Sequence, residues 1–291
     1  MTDCLGRNVL IDYRIELNLW TAFSILIYAV SVNLAWRWRR PRPGRLASWI
    51  EQVKSWPLGG WLLQLLRFAY YVGLPFCLLL NGDAVERSLR GFLGLGDIPL
   101  GFLMRGVLLP RAMGLGGLTT SEWFAGGGLG TALGLGAFFL IASGWWYFTR
   151  SLRTFPWERA ASPDPGAGLG EPVVMASPLP TRAWWLVLWE AIYAEVHWAF
   201  YRAGPIVLLD NDYAGVFLGF LILSLEWWTN PAWRHGWDPV GQKPEVVLRW
   251  SLAFVMAIIF LFTRNLWLAI PLHWAVEMGC RHLLPVPPVP Q

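Results

Sequence analysis

Glu190, Glu195, His197 and Arg202 lie within one apolar stretch, AWWLVLWEAIYAEVHWAFYRAG. Further along, Glu226 sits in LSLEWWTNP, and His273 and Glu277 are four residues apart in LHWAVE. These are the residue types of proton transfer and water activation. Carboxylates take up a proton, imidazoles donate or relay one, and a guanidinium holds a carboxylate in place. An ionisable group at the centre of a membrane helix costs roughly 2.5–3.5 kcal/mol on insertion scales. A segment that only had to sit in lipid would not collect such groups.

At about 100° per residue, Glu190 and His197 share a stripe with Ala194 and Tyr201. Glu195 and Arg202 share a second stripe, roughly 130–140° away, with Trp198 and Ala199 beside them. Two polar faces predict a helix enclosed by protein. His273 and Glu277 share one face of their own helix, and Pro271 can loosen the backbone just before them.

The elements that must position these groups are membrane helices. The chain has 291 residues, of which 55% are hydrophobic and only 14% charged, against ~25% charged in soluble domains. Its mean hydropathy is +0.43. The net charge of +4 comes from basic residues clustered in loops beside apolar stretches, a signal of membrane topology and not of nucleic-acid binding. Cys4, Cys77 and Cys280 are isolated, so neither a disulfide framework nor a thiolate metal site is expected. Among the 21 tryptophans, Trp184, Trp189, Trp198, Trp227 and Trp228 fall in or near spans. They suit packing and lipid contact, or an aromatic cavity for a bound lipid, quinone or pigment.

The expected architecture is all-α, a polytopic helical bundle of about seven transmembrane helices. The spans are 17–36, 57–80, 128–149, 183–204, 213–228, 246–262 and 266–283. Residues 1–16 lack the pattern of a signal peptide. Arg67 interrupts the second span and is expected to snorkel or pair. Segment 81–126 is Gly-rich and interrupted, suited to an interfacial or re-entrant piece. Gly126, Gly130 and Gly134 fall on one stripe for close helix packing. The Pro/Gly-rich residues 158–181 divide the chain into an N-terminal three-span half (1–157) and a C-terminal four-span half (182–291). After 183–204 a loop is expected from Pro205 to Asp212. Arg37, Arg39, Arg40, Arg42 and Arg45 place the first loop inside, which puts the N-terminus outside and the C-terminus in the cytoplasm. The compartment expected is a bacterial cytoplasmic membrane.

The order and spacing of the polar motifs resemble the CAAX-protease and bacteriocin-processing family of intramembrane glutamic proteases. That family carries EExxxR, FxxxH and HxxxN or HxxxD on successive helices. Here the third motif is matched by His273 and Glu277, preceded by Asn265, Leu266 and Trp267. With Arg202 as the motif arginine, the glutamate pair falls on His197 and Trp198, and Glu195 lies two residues early. In the second motif, Ile222 and Glu226 replace Phe and His. The resemblance covers roughly residues 180–285. It implies a glutamate that activates water for attack on a peptide carbonyl, with histidines and the Asn/Asp position stabilising the oxyanion.

Three functions follow as expectations. With the carboxylates displaced at both of the first two motifs, a non-catalytic relative comes first. It would be a scaffold or accessory subunit of a membrane complex, held by buried pairs of Glu195 with Arg202 and of Glu226 with His273. The first alternative is an intramembrane endopeptidase using Glu195, His197, Arg202, Glu226, His273 and Glu277 on a membrane-embedded or prenylated peptide, with no cofactor. The second is a metal-dependent membrane hydrolase, a divalent ion being held by His197, Glu226, His273 and Glu277. The partners are membrane lipids, other membrane subunits or a peptide substrate. Nucleic acid is not among them.

The charge asymmetry predicts that a single cysteine at position 42 is labelled from the cytoplasmic side by a membrane-impermeant thiol reagent. Labelling from outside alone would invert the topology.

Overall fold

A computed structural model describes residues 2–39, 56, 59–80, 109–116, 118–154, 183–235 and 243–283. Among these residues the secondary structure is helical, without strands. The helices are α1 (Thr2–Arg39), α2 (Gly59–Phe68), α3 (Leu74–Leu80), α4 (Thr120–Thr154), α5 (Trp184–Leu209), α6 (Asp212–Thr229), the short α7 (Pro231–His235), α8 (Lys243–Thr263) and α9 (Leu266–Leu283). Helices α2 and α3 are joined without a break by a π-helical turn, Ala69–Gly73.

Among the described residues, three helices are long and apolar enough to cross a membrane: Leu17–Arg37 of α1, Thr120–Tyr147 of α4, and Val246–Thr263 of α8. The remaining long helices carry the polar groups or are shorter, so composition alone does not mark them as spans. The outward faces, on α1 and also on helices that composition does not mark, are nonetheless apolar. Leu19, Phe23, Leu26 and Val30 on α1, Trp61, Leu62, Leu65 and Leu66 on α2, and Phe217, Leu221 and Leu225 on α6 are exposed. Continuous apolar surface of this kind is unfavourable in water and suits a lipid environment.

Helix α5 is the centre. It packs against α1, α6, α9 and the π-turn. It has an apolar core of Val187, Ala191, Ala199, Phe200, Ala203 and Val207. The expected loop from Pro205 is not a loop. Pro205 lies within the helix, which runs to Leu209 and ends at Asp210 in the left-handed conformation (φ 50°). Proline removes one backbone bond, but the last turn is held by Ile206 and Val207 packed against neighbours in the core. The turn to α6 is correspondingly tight, and Asn211 caps α6 by accepting from the Ala214 N–H at 3.0 Å. At the same end of the bundle Arg264 (φ 47°) breaks α8 from α9, and Asn265 Oδ1 accepts from the Leu268 N–H at 3.1 Å. Arg264 and Asp212 form an ion pair between the two turns.

Other boundaries also move. Helix α1 extends back to Thr2 and α4 begins at Thr120, both earlier than the apolar stretches suggest. Of the segment 81–126, residues 81–108 lie outside the described part, as do most of the loop after α1 and the linker 158–181. Residues 109–116 fold back as a turn under the α8–α9 corner. There the Leu266 N–H donates to Gly114 O at 2.9 Å, and Gly114 (φ +74°) leaves no room for a side chain beside Arg264. Gly130 and Gly134 on α4 seat the leucines of α9, as expected of small residues at a helix contact.

The closest helix approach is α5 on α6. A Cβ at Gly219 would stand 2.7 Å from the Arg202 Cα, and one at Gly215 2.5 Å from the Ile206 Cα. Gly219→Ala is therefore expected to lower stability by about 1–3 kcal/mol through overpacking. Gly136→Ala, where the new methyl meets nothing within 4 Å, is expected to be neutral or stabilising. Thermal unfolding in detergent compares the two. Equal midpoints would contradict the packing read here.

Candidate functional site

Every sequence-predicted site residue is buried: Glu195, His197, Arg202, Glu226, His273 and Glu277 are all at 7% exposure or less. Helices α5, α6 and α9 bring them together, because α5 packs against both α6 and α9 and carries a polar group toward each. The pairing differs from expectation at one point. Glu195 does pair with Arg202 (Oε2 to Nη2, 3.4 Å). Glu226, however, meets His197 instead of His273: His197 Nε2 lies 3.0 Å from Oε2 and 3.2 Å from Oε1. His273 turns to Glu195, with Nδ1 at 2.9 Å from Oε1. The cause is local. His197 and Glu195 lie on opposite faces of α5, so the first meets α6 and the second meets α9.

On α9 the polar run continues. His273 Nε2 stands 3.6 Å from Glu277 Oε2, and Glu277 Oε1 accepts from Arg281 Nε and Nη2 at 2.9 and 2.7 Å. Arg202, Glu195, His273, Glu277 and Arg281 therefore form a sequence of alternating charge type that ties α5 to α9. Trp198 stacks on the His273 ring, with centroids 5.2 Å apart and planes 24° apart. The Arg202 guanidinium lies 4.1 Å over the Phe260 ring, a cation–π contact in a desolvated setting.

The two histidine–carboxylate pairs border one cavity of about 110 Å³. His197, Glu226, His273 and Glu277 line it, with Trp198, Trp227, Tyr71, Tyr193, Arg249 and the Arg67–Glu190 pair. Arg67 Nη2 donates to Glu190 Oε2 at 2.6 Å, and both side chains are 31% exposed. The pair therefore sits partly exposed at the edge of the cavity. The starts of α5 and α8 and the ends of α6 and α9 share one end of the bundle, since the turns at 210–211 and 264–265 close the other. Of the lining residues on these four helices, His197, Trp198 and His273 sit at mid-bundle and the rest fall in that half. No family model, curated protein or solved structure matches the chain.

The volume suits a few waters and one reacting group. It is well below the ~300–1,000 Å³ of pockets that enclose a whole small molecule. Trp184, Trp189 and Trp228 are exposed, and only Trp198 and Trp227 of the five considered line it. The metal set also fits poorly. Both ring nitrogens of His273 and Nε2 of His197 already face carboxylates. Among the described residues no group of three or more His, Cys, Asp or Glu is arranged to hold an ion. Nδ1 of His197 is buried without a hydrogen-bond partner there, which leaves one donor nitrogen for a metal where at least three ligands are needed.

Sequence reasoning missed several contributors. Arg281 was legible as the residue four after Glu277. Tyr70, Tyr71 and Ser24 were not, because a tyrosine or serine in an apolar helix reads as packing.

Arg202→Met strips Glu195 of its guanidinium and leaves a carboxylate fully buried. A loss of about 3–5 kcal/mol is expected. Arg264→Met, which removes the half-exposed pair with Asp212, should cost under about 1 kcal/mol. Chemical or thermal unfolding separates them, and equal losses would mean that Arg202 does not bear the charge of Glu195.

Proposed function

We propose that this chain is a polytopic membrane hydrolase of the glutamic endopeptidase type, related to the CAAX-protease and bacteriocin-processing family and acting on a membrane-embedded or prenylated peptide. The observation that carries the reading is the direct His197–Glu226 contact on the wall of a cavity. Aligned on Arg202, the family's motifs put glutamate at position 197 and histidine at position 226. This chain has histidine and glutamate there, and the two side chains touch at 3.0 Å. The departures at positions 197 and 226 are thus a reciprocal exchange that keeps the carboxylate–imidazole pair, while Trp198 and Ile222 depart from the motifs without such a counterpart.

In this reading Glu226 takes the proton of a water in the cavity as it attacks the peptide carbonyl. His197 Nε2–H holds the carboxylate in line. His273 Nδ1 stays engaged with Glu195, while Nε2, 3.6 Å from Glu277 Oε2, turns its N–H from that carboxylate to the developing oxyanion. The proton then passes from Glu226 to the leaving amine. The remaining helices, including α2 and α5, complete the expected seven-span bundle around this site. By the charge asymmetry, the half that holds the cavity faces the cytoplasm.

A second reading, a non-catalytic scaffold, is favoured by the run of alternating charges from Arg202 to Arg281. That run satisfies its own members and serves to fix α5 against α9. Turnover separates the two.

An internally quenched farnesyl-peptide in liposomes is expected to be cleaved by the purified protein, and cleavage should survive thorough chelation. Glu226→Gln and His273→Ala should each abolish it while the protein stays folded. His197→Glu and Glu226→His should each reduce it by at least about 100-fold, as loss of a general base does. The double variant, which restores the motif residues, should regain activity over either single change. Cleavage that persists in Glu226→Gln, or no cleavage by the unaltered protein across farnesylated and transmembrane peptides, would overturn the hydrolase reading.

A further inference from the structure

The site does not end at the C-terminal half. The π-turn Ala69–Gly73 interrupts α2–α3 where the helix passes α5. A π-turn accommodates one residue more than an α-turn, and such turns occur mainly at functional positions. Here it turns two successive tyrosines toward one histidine. Tyr71 meets the His197 ring edge-on, with centroids 4.9 Å apart and planes at 87°. Tyr70 lies 5.2 Å from the same ring, and its hydroxyl stands 3.3 Å from Glu226 Oε1. His197 Nε2 lies nearer the other oxygen, 3.0 Å from Oε2 against 3.2 Å from Oε1. The Glu226 carboxylate is thereby held from two different helices.

The Tyr70 hydroxyl is itself part of a small cluster. Ser24 Oγ of α1 is 3.1 Å from it, Tyr201 Oη of α5 is 3.3 Å from it, and Ser24 Oγ and Tyr201 Oη are 3.3 Å apart. Ser24 and Tyr201 are fully buried. A tyrosine has one proton to give. With two neighbouring hydroxyls able to donate into its oxygen, Tyr70 is free to direct that proton at Glu226, in competition with the Ser24 carbonyl at 3.1 Å.

We infer that Tyr70 is a positioning residue for Glu226: its hydroxyl, placed by the π-turn, anchors Oε1 so that the carboxylate keeps one orientation toward His197 and the cavity. This rests on the hydrolase reading for its consequence in turnover, but not for the contact itself. The N-terminal half then supplies part of the working site and is more than a membrane anchor.

The test is Tyr70→Phe, which deletes the hydroxyl and keeps the ring. The infrared carboxyl band of Glu226, assigned as the one lost in Glu226→Gln, is followed in the full-length protein in liposomes. It should shift in Tyr70→Phe. A fluorinated tyrosine at position 70, whose phenol donates more strongly, should shift it the opposite way and serves if Tyr70→Phe does not fold. Cleavage of the farnesyl-peptide should fall about 10- to 100-fold in kcat with KM unchanged, the size expected for one hydrogen bond to a charged group. A Glu226 band that is unmoved by either change overturns the inference. Absence of cleavage in the unaltered protein counts against the hydrolase reading alone, since the band reads the contact directly.

Discussion

Burying charge in an apolar bundle is the constraint on which the rest of this structure depends. Glu195, at 0% exposure, and Arg202, at 2%, would each cost several kcal/mol if moved alone into such an interior, and the cost is offset only by close partners. The molecule meets this by alternation. Arg202, Glu195, His273, Glu277 and Arg281 follow one another, so that each acidic group has basic groups on both sides. Because that run passes between α5 and α9, it also fixes their relative height. A shift of one helix turn, about 5.4 Å, would separate His273 from Glu195, the pair of this run that crosses between the two helices. The close glycine contact of α5 with α6 then places Glu226 against the other face of α5, where His197 waits.

The consequence is a division of labour between the two faces of α5. On the α9 side, Glu195 is engaged by both Arg202 and His273, and the arrangement is tightly bound. On the α6 side the described contacts of Glu226 are an imidazole and a phenol, softer partners that can exchange a proton. Chemistry requires a group that is held but not locked, and stability requires the reverse. The bundle has one of each, on either side of the same helix, and His273 of the one and His197 and Glu226 of the other line the same cavity.

Much of the site was legible in the sequence, for a reason that is itself physical. Glu195, His197, Glu226 and His273 stand out because ionisable groups in apolar helices are costly, and helical spacing predicts which of them share a face. The sequence spacing did not reveal which carboxylate meets which imidazole. That depends on the rotation of α6 and α9 about α5, set by contacts such as Gly219 on Arg202, and so Glu226 was assigned to His273 in error. Tyr70 was hidden for a different reason: its place depends on an extra residue within a helical turn, and nothing in AYYVG distinguishes a π-turn from an α-turn. Pro205 misled because a proline near a helix end ordinarily terminates it, whereas here the packing of Ile206 and Val207 outweighs the lost backbone bond. The all-helical class and the apolar stretches of α1, α4 and α8 followed directly from composition.

The central claim is that the buried pairs border a water-accessible cavity open toward one membrane face. Ala194 lines that cavity between Glu190 and His197, whereas Ala199 on the same helix is fully buried. In a background without other cysteines, Ala194→Cys should react with a small membrane-impermeant thiol reagent from the same side that labels position 42, and Ala199→Cys should not react from either. Reaction of Ala194→Cys from neither side, or only from the opposite one, would contradict the account.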